Sequence, residues 1–105
     1  MGEKKKDIYI SGPITGVEQY YKAFEAMEEE LSAIGYIPLS PSRLPEGMSN
    51  EQYMRICLAM IDSADAAIFL KGWEDSKGAS LERDYCCYAN KPAFTDPRLM
   101  REVLG

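Results

Sequence analysis

The sequence predicts an α/β fold, a three-layer sandwich in which a short parallel sheet of four or five strands carries helices on both faces. Three observations lead there. Short β-favouring runs alternate with segments of helical periodicity along the whole chain, the pattern of βα units and of a parallel sheet. Two of the runs, Ile8-Tyr9-Ile10 and Ala66-Ala67-Ile68-Phe69-Leu70, are continuously apolar, as strands covered on both faces must be. The chain has 105 residues and 46% hydrophobic content, enough for one core and too little for two, so residues 1–105 are expected to form a single domain.

The first strand, Ile8 to Ile10, is closed by Ser11-Gly12-Pro13. After the loop Gly12-Pro13-Ile14-Thr15-Gly16, apolar residues fall at Val17, Tyr20, Phe24, Met27, Leu31 and Ile34, the alternating three- and four-residue steps of an amphipathic helix. Gly35 marks its stop. Tyr36-Ile37-Pro38-Leu39 predicts a second strand at an edge, because Pro38 has no ladder hydrogen bond to donate. A loop rich in proline and glycine follows, Ser40 to Met48. Ser49-Asn50-Glu51-Gln52 has capping-box form and opens a second helix to about Asp62. Ala66 to Leu70 is the third strand, and Lys71 to Gly78 a polar loop. A third helix is predicted from about Ala79 to Asn90, then a short strand over Lys91 to Thr95 and a helical turn over Arg98 to Leu104. In such sheets ligands bind beyond the carboxyl ends of the strands, so the loops after Ile10 and Leu70 should face one site.

Composition removes several kinds of chemistry. There is no histidine, which excludes Ser-His-Asp and Cys-His nucleophile systems and histidine-bearing zinc sites within the chain. The 17 acids against 12 bases argue against nucleic acid as a partner, since phosphate neutralisation needs clustered Lys and Arg. Lys4-Lys5-Lys6 is the only basic run, and residues 1–6 read as a flexible basic tail. The three cysteines Cys57, Cys86 and Cys87 form no CxxC pair or four-ligand set, so no disulfide framework and no metal site is suggested, and a reducing cytoplasm is the expected location. No apolar stretch has the length of a membrane span, so no membrane partner is expected.

Glu82 carries the strongest chemical signal. On the third helix it shares a face with Ala79, Tyr85, Cys86 and Ala89, while Arg83 and Asp84 rotate away. A carboxylate on a packed helix face is costly unless it is paired or functional; a structural glutamate bonded to a tyrosine or an amide would fit the same position. The loop Ser11-Gly12-Pro13-Ile14-Thr15-Gly16 joins a strand to a helix, where amides can hold an anion, although it matches neither GxGxxG nor a P-loop and an ordinary tight turn would look the same. Ser76-Lys77-Gly78 is a comparable site or a plain N-cap. Trp73 could stack on a base or fold back over the core. Asp62 on the second helix is a possible acid, and Asp65 reads as a capping or turn residue.

Taken in order, Ile8-Tyr9-Ile10-Ser11-Gly12-Pro13, Ala64-Asp65-Ala66-Ala67-Ile68, Ser76-x-Gly78-x-x-x-Glu82 and Lys91-Pro92 resemble the nucleoside 2-deoxyribosyltransferase-like superfamily. Within it they resemble a family of small, often phage-encoded domains of unknown function. The resemblance runs over roughly residues 7–95. It implies a flavodoxin-like, Rossmann-like fold and cleavage or transfer at the N-glycosidic bond of a (deoxy)nucleoside or nucleoside 5′-monophosphate, with no cofactor. It makes Glu82 the nucleophile and Tyr9 the residue that holds it. Ser11, Gly12, Pro13, Thr15, Gly16, Ser76 and Gly78 become sugar or phosphate contacts, with Ser76 leaning toward a 5′-monophosphate. It further implies a homo-oligomer, a dimer or larger, whose sites are completed by a neighbouring protomer. Three positions, in two places, depart from the pattern of the monophosphate hydrolases. Cys57 stands where they carry a catalytic aspartate, and Pro13 and Thr15 stand where they offer serine and arginine. Asp62 or a group from a neighbouring subunit could then assist the leaving base. Alternatively the chain is a non-catalytic nucleotide-binding or sensing module on the same scaffold, or a hydrolase of NAD-derived metabolites.

Overall fold

Four runs of β-favouring residues pair side by side in a computed structural model that describes residues 4–105. They are β1 (Asp7–Ser11), β2 (Ile37–Leu39), β3 (Ala66–Phe69) and β4 (Ala93–Phe94), and they form a parallel sheet in the order β2-β1-β3-β4. Helices α1 (Tyr20–Ala33), α2 (Asn50–Ser63), α3 (Lys77–Tyr88) and α4 (Pro97–Leu104) follow the strands in turn. The expected α/β architecture holds, with four strands.

The two-residue period of β1 and β3 divides the core into two halves. Ile8, Ile10, Ala66 and Ile68 point to one face, where Phe24 and Leu31 of α1 and Met100 of α4 cover them. Tyr9, Ala67 and Phe69 point to the other, against Cys57 and Ile61 of α2 and Cys86 of α3. β1 is paired on both sides, Tyr9 lying between Leu39 and Ala67 and Ser11 beside Phe69. It is therefore the strand that every layer must fit. Pro38 lies on edge strand β2 as its missing N–H requires.

The helix ends follow from local chemistry. Ser49 and Gln52 form the complete capping box at the start of α2. α3 starts at Lys77, two residues before the expected Ala79, because the Ser76 hydroxyl accepts the Ala79 N–H and so caps the turn earlier. It ends at Tyr88, since Asn90 turns left-handed at φ 56°. α1 starts at Tyr20 instead of Val17: Gln19 is left-handed at φ 56° and interrupts the helical path, and the Val17 N–H bonds to the Ile14 carbonyl as a separate turn. The polar loop after β3 contains a 3₁₀ turn over Trp73–Asp75.

Part of the expected basic tail, residues 1–3, lies outside the described residues. Lys4 to Lys6 are exposed. Lys6 is not free, however, because its carbonyl accepts the Ile37 N–H and carries the ladder past β1. Among the described residues, no helix is long and apolar enough to cross a membrane. The loop after β2 is tied down from both neighbouring helices. Glu28 of α1 accepts from the Arg43 guanidinium at 2.6 Å, and Tyr53 of α2 donates to the Pro41 carbonyl at 2.7 Å.

Gly12 fixes how closely the two central strands leave the sheet. A β-carbon there would lie 2.9 Å from Cβ of Leu70, inside van der Waals contact. Gly12→Ala should therefore lower the unfolding free energy by about 1–3 kcal/mol, as overpacking does. Urea denaturation followed by circular dichroism checks this, and an unchanged midpoint would mean that β1 and β3 part freely at this point.

Candidate active site

The strand order reverses direction between β1 and β3. From β1 the chain crosses to the face of α1, and from β3 it crosses to the face of α3. The loops over residues 12–19 and 71–76 therefore diverge beyond the strands and leave a crevice at the carboxyl end of the sheet. Their roots are in contact. The Leu70 N–H donates to the Ser11 carbonyl at 2.8 Å, and the Pro13 ring lies 3.4 Å from where a β-carbon of Gly72 would stand. Gly72 has φ +91°, a conformation that suits glycine.

Glu82 lies beneath this crevice. Its α3 face also carries Ala79 and Cys86, all three buried, and Glu82 is only 6% exposed. Tyr9 and Ser11 are two apart on β1 and so project from the same face of the sheet toward it. The Tyr9 hydroxyl donates to Glu82 Oε1 at 3.0 Å and the Ser11 hydroxyl to the same oxygen at 2.6 Å. Oε2 takes no hydrogen bond from any described residue. The carboxylate is thus fixed through one oxygen while the other has no protein partner.

Burial pushes the Glu82 pKa above the usual carboxylate value, against the stabilising hydrogen bonds of Ser11 and Tyr9 that pull it down. Burial, followed by the charge on Glu82, pushes the Tyr9 phenol well above its ordinary range. Tyr9 is therefore a donor that keeps its proton. Cys57 of α2 is buried beside both residues, and burial raises its thiol to about 11. One turn earlier on α2, the Tyr53 phenol is raised to about 12, chiefly by burial. Tyr53 escaped sequence reading. The available signal was its spacing of four from Cys57, which puts both on one face of α2.

This geometry can be set beside known proteins. A family model described as a domain of unknown function, DUF4406, matches residues 6–94. The chain belongs to the DUF4406 family. No curated protein matches it. Among solved structures, a 2-deoxyribosyltransferase from the psychrotolerant bacterium Bacillus psychrosaccharolyticus is similar, with a TM-score of 0.66 and 23% sequence identity. The match covers 83% of this chain and 69% of that one. The DUF4406 chain thus has the fold of that enzyme, in agreement with the superfamily resemblance of its ordered motifs.

The other expected site residues of the DUF4406 chain divide into two groups. Gly12, Pro13, Thr15 and Gly16 lie in the loop on one side of the crevice, and Trp73, Ser76 and Gly78 in the segment on the other. Ser76 is half-buried, and its Oγ accepts the Ala79 N–H at 3.2 Å, so it is an N-cap. The amides of Lys77 and Gly78 start the helix without intrahelical acceptors. Trp73 folds back edge-on to Phe69, with ring centroids 5.6 Å apart, and covers the core on the α2 and α3 face.

Two residues have other places than expected. Ser11 is fully buried with its hydroxyl on Glu82, so it orients the carboxylate instead of facing a ligand in the loop. Asp62 is not brought to Glu82. It is exposed and accepts from Tyr85 at 2.6 Å, five residues beyond Cys57, which is about 7.5 Å further along α2 from the strands' carboxyl end. Asp65 accepts the Asp7 N–H at 2.8 Å, so it ties the residue before β3 to the start of β1 and does not close a local turn. Among the described residues, no group of three or more Cys, Asp or Glu could hold a metal ion.

The raised pKa of Glu82 has a sign that can be tested. A carboxyl that holds its proton more tightly when folded destabilises the fold as pH rises through the unfolded value of about 4.3, up to the folded pKa. Glu82→Gln keeps an oxygen for Tyr9 and Ser11 but carries no charge. It should melt at a higher Tm than the wild type at pH 7, with the gap closing below about pH 4. Differential scanning calorimetry at the two pH values checks both halves.

Proposed function

We propose that this protein cleaves or transfers at the N-glycosidic bond of a (deoxy)nucleoside or nucleoside 5′-monophosphate, with Glu82 as nucleophile. One observation carries the reading: a buried carboxylate at the carboxyl-end crevice, held by two hydroxyls through Oε1 and left without a protein partner at Oε2. Such a group is aimed before any substrate arrives, which lowers the entropic part of the barrier. Attack of Oε2 on C1′ gives a glycosyl-enzyme ester as the C1′–N bond breaks, its electron pair passing to the base, which takes up a proton from an assisting group or water. Water then completes hydrolysis, or a second base completes transfer. Tyr9 and Ser11 act as positioning residues on Oε1. The Ser76 hydroxyl, the free amides of α3 and the Gly12 to Gly16 loop would meet the sugar or its phosphate. The similar solved structure is named a 2-deoxyribosyltransferase, which supports the same chemistry.

A second reading, a non-catalytic nucleotide-binding module, is favoured by the neutral Cys57 thiol beside Glu82. Release of free base separates the two. Incubation with a panel of deoxynucleosides and 5′-monophosphates, followed by chromatography, should show base release that Glu82→Ala abolishes. Tyr9→Phe should reduce kcat/KM by about 10- to 100-fold, the value of one hydrogen bond to a charged group. Base release that persists in Glu82→Ala would remove the nucleophile assignment, and nucleotide binding by calorimetry without release would favour the binding module.

Self-association belongs to the same proposal. Leu99 and Val103, one turn apart on α4, and Ile56 and Leu81 of α2 and α3 are exposed apolar side chains that a second copy could cover. Light scattering should give a dimer or larger species; a monomer with full activity would contradict a shared site.

A further inference from the structure

The carboxyl of Glu82 is approached past one glycine. Gly78 stands four residues before Glu82, on the same face of α3 and one turn nearer the helix start. A helical side chain leans over the turn on its N-terminal side, so the Glu82 carboxyl lies just below the place where a side chain of residue 78 would stand. Apart from the adjoining α3 backbone, a β-carbon there would meet one atom among the described residues within 4 Å, Cε of Met54 at 3.8 Å. Bare α3 backbone therefore bounds this level on one side and the Met54 methyl on the other. Met54 is three residues before Cys57, one turn nearer the start of α2, as Gly78 is on α3. It is half-buried. Tyr53, Leu58 and Met60 of α2 pack against the buried core on this face; among the described residues Met54 does not, and its end lies at Gly78. Its backbone is held, because Tyr53 beside it donates to the Pro41 carbonyl at 2.7 Å, while the unbranched thioether adapts to what it touches.

We propose that Met54 is a specificity-determining residue of this site: its methyl forms the side wall one turn above Glu82 and limits the sugar that can stand over Oε2. This rests on Glu82 as the nucleophile. Displacement at C1′ needs the sugar face opposite the base to be turned toward Oε2. In a ribonucleoside that face carries the 2′-hydroxyl; in a 2′-deoxyribonucleoside it carries only hydrogen there. The proposal places the 2′ carbon, next to C1′, on the side of Met54 and Gly78. An apolar methyl there takes up room and offers a hydroxyl no hydrogen bond, so Met54 bears on the choice between ribose and deoxyribose.

The test compares matched riboside and 2′-deoxyriboside pairs of adenine, guanine and cytosine, as nucleosides and as 5′-monophosphates, on the full chain. Met54→Ala should raise the riboside-to-deoxyriboside ratio of kcat/KM about tenfold or more, the value of one methylene-sized group in a pocket. Gly78→Ala adds a methyl to the facing wall at an ordinary contact distance from Met54 and should lower the same ratio. Met54→Ala placed in that background should restore it. The ratio read as Kd by calorimetry, in Glu82→Gln so that nothing turns over, should shift in the same direction. A ratio that stays fixed in both single variants, with the two sugars moving together, would mean that Met54 only packs α2 against α3. That result would overturn the proposal and leave Glu82 as nucleophile. A shifted Kd ratio with no base release from the unaltered chain would overturn the nucleophile and keep the wall. Neither binding nor release with any pair would overturn both.

Discussion

The pair of hydrogen bonds from Tyr9 and Ser11 to one oxygen of Glu82 is the contact on which the rest of this structure depends. A carboxylate cannot be buried under a parallel sheet without partners, and here the partners are separated from it by 73 and 71 residues. Making those bonds requires β1 to lie at the centre of the sheet, with its odd-numbered side chains toward α3. It also requires β3 to pair with β1 in a register that brings α3 over the right end. The compensation is incomplete, because burial still holds Glu82 above the usual carboxylate range. Under the proposed mechanism that residual penalty is what a prepositioned nucleophile would retain, and it would place stability and activity in opposition at this residue.

The strand ends make the crevice possible. Gly12 lets the chain leave β1 against Leu70, and Gly72 turns the second loop with a backbone that a side chain would strain. With the loops rooted together and α1 and α3 on opposite faces, the space above Glu82 lies between segments held by main-chain bonds. Glu28 with Arg43 and Tyr53 with Pro41 hold the loop after β2. Function at such a site is set by the few side chains that reach it, and Cys57 beside the carboxylate gives this one a neutral neighbour with little acidity.

Much of this was legible beforehand, and the reasons are local. Continuous apolar runs marked β1 and β3, the three-and-four spacing from Tyr20 to Ile34 marked α1, and Ser49 with Gln52 marked the start of α2. Glu82 stood out because helical periodicity alone put it among Ala79 and Cys86. The errors were also local in origin. Val17 kept the helical spacing, but spacing does not reveal that Gln19 turns left-handed and separates it from α1. Lys6 read as tail because a main-chain bond to Ile37 has no side-chain signature.

By itself, the sequence determined the class of fold, the order of its elements and which face of each element is buried, because these follow from periodicity and capping within a few residues. It also determined that no imidazole can take part in the chemistry, since the absence of histidine is independent of folding. Only the tertiary structure decided that Tyr9 and Ser11 share one oxygen of Glu82, that Asp62 bonds to Tyr85 and not at the site, and that Trp73 lies against Phe69. Those outcomes depend on strand order, register and the placement of α2 and α3 on the sheet, distances set by packing between residues far apart in the chain, which no local pattern encodes.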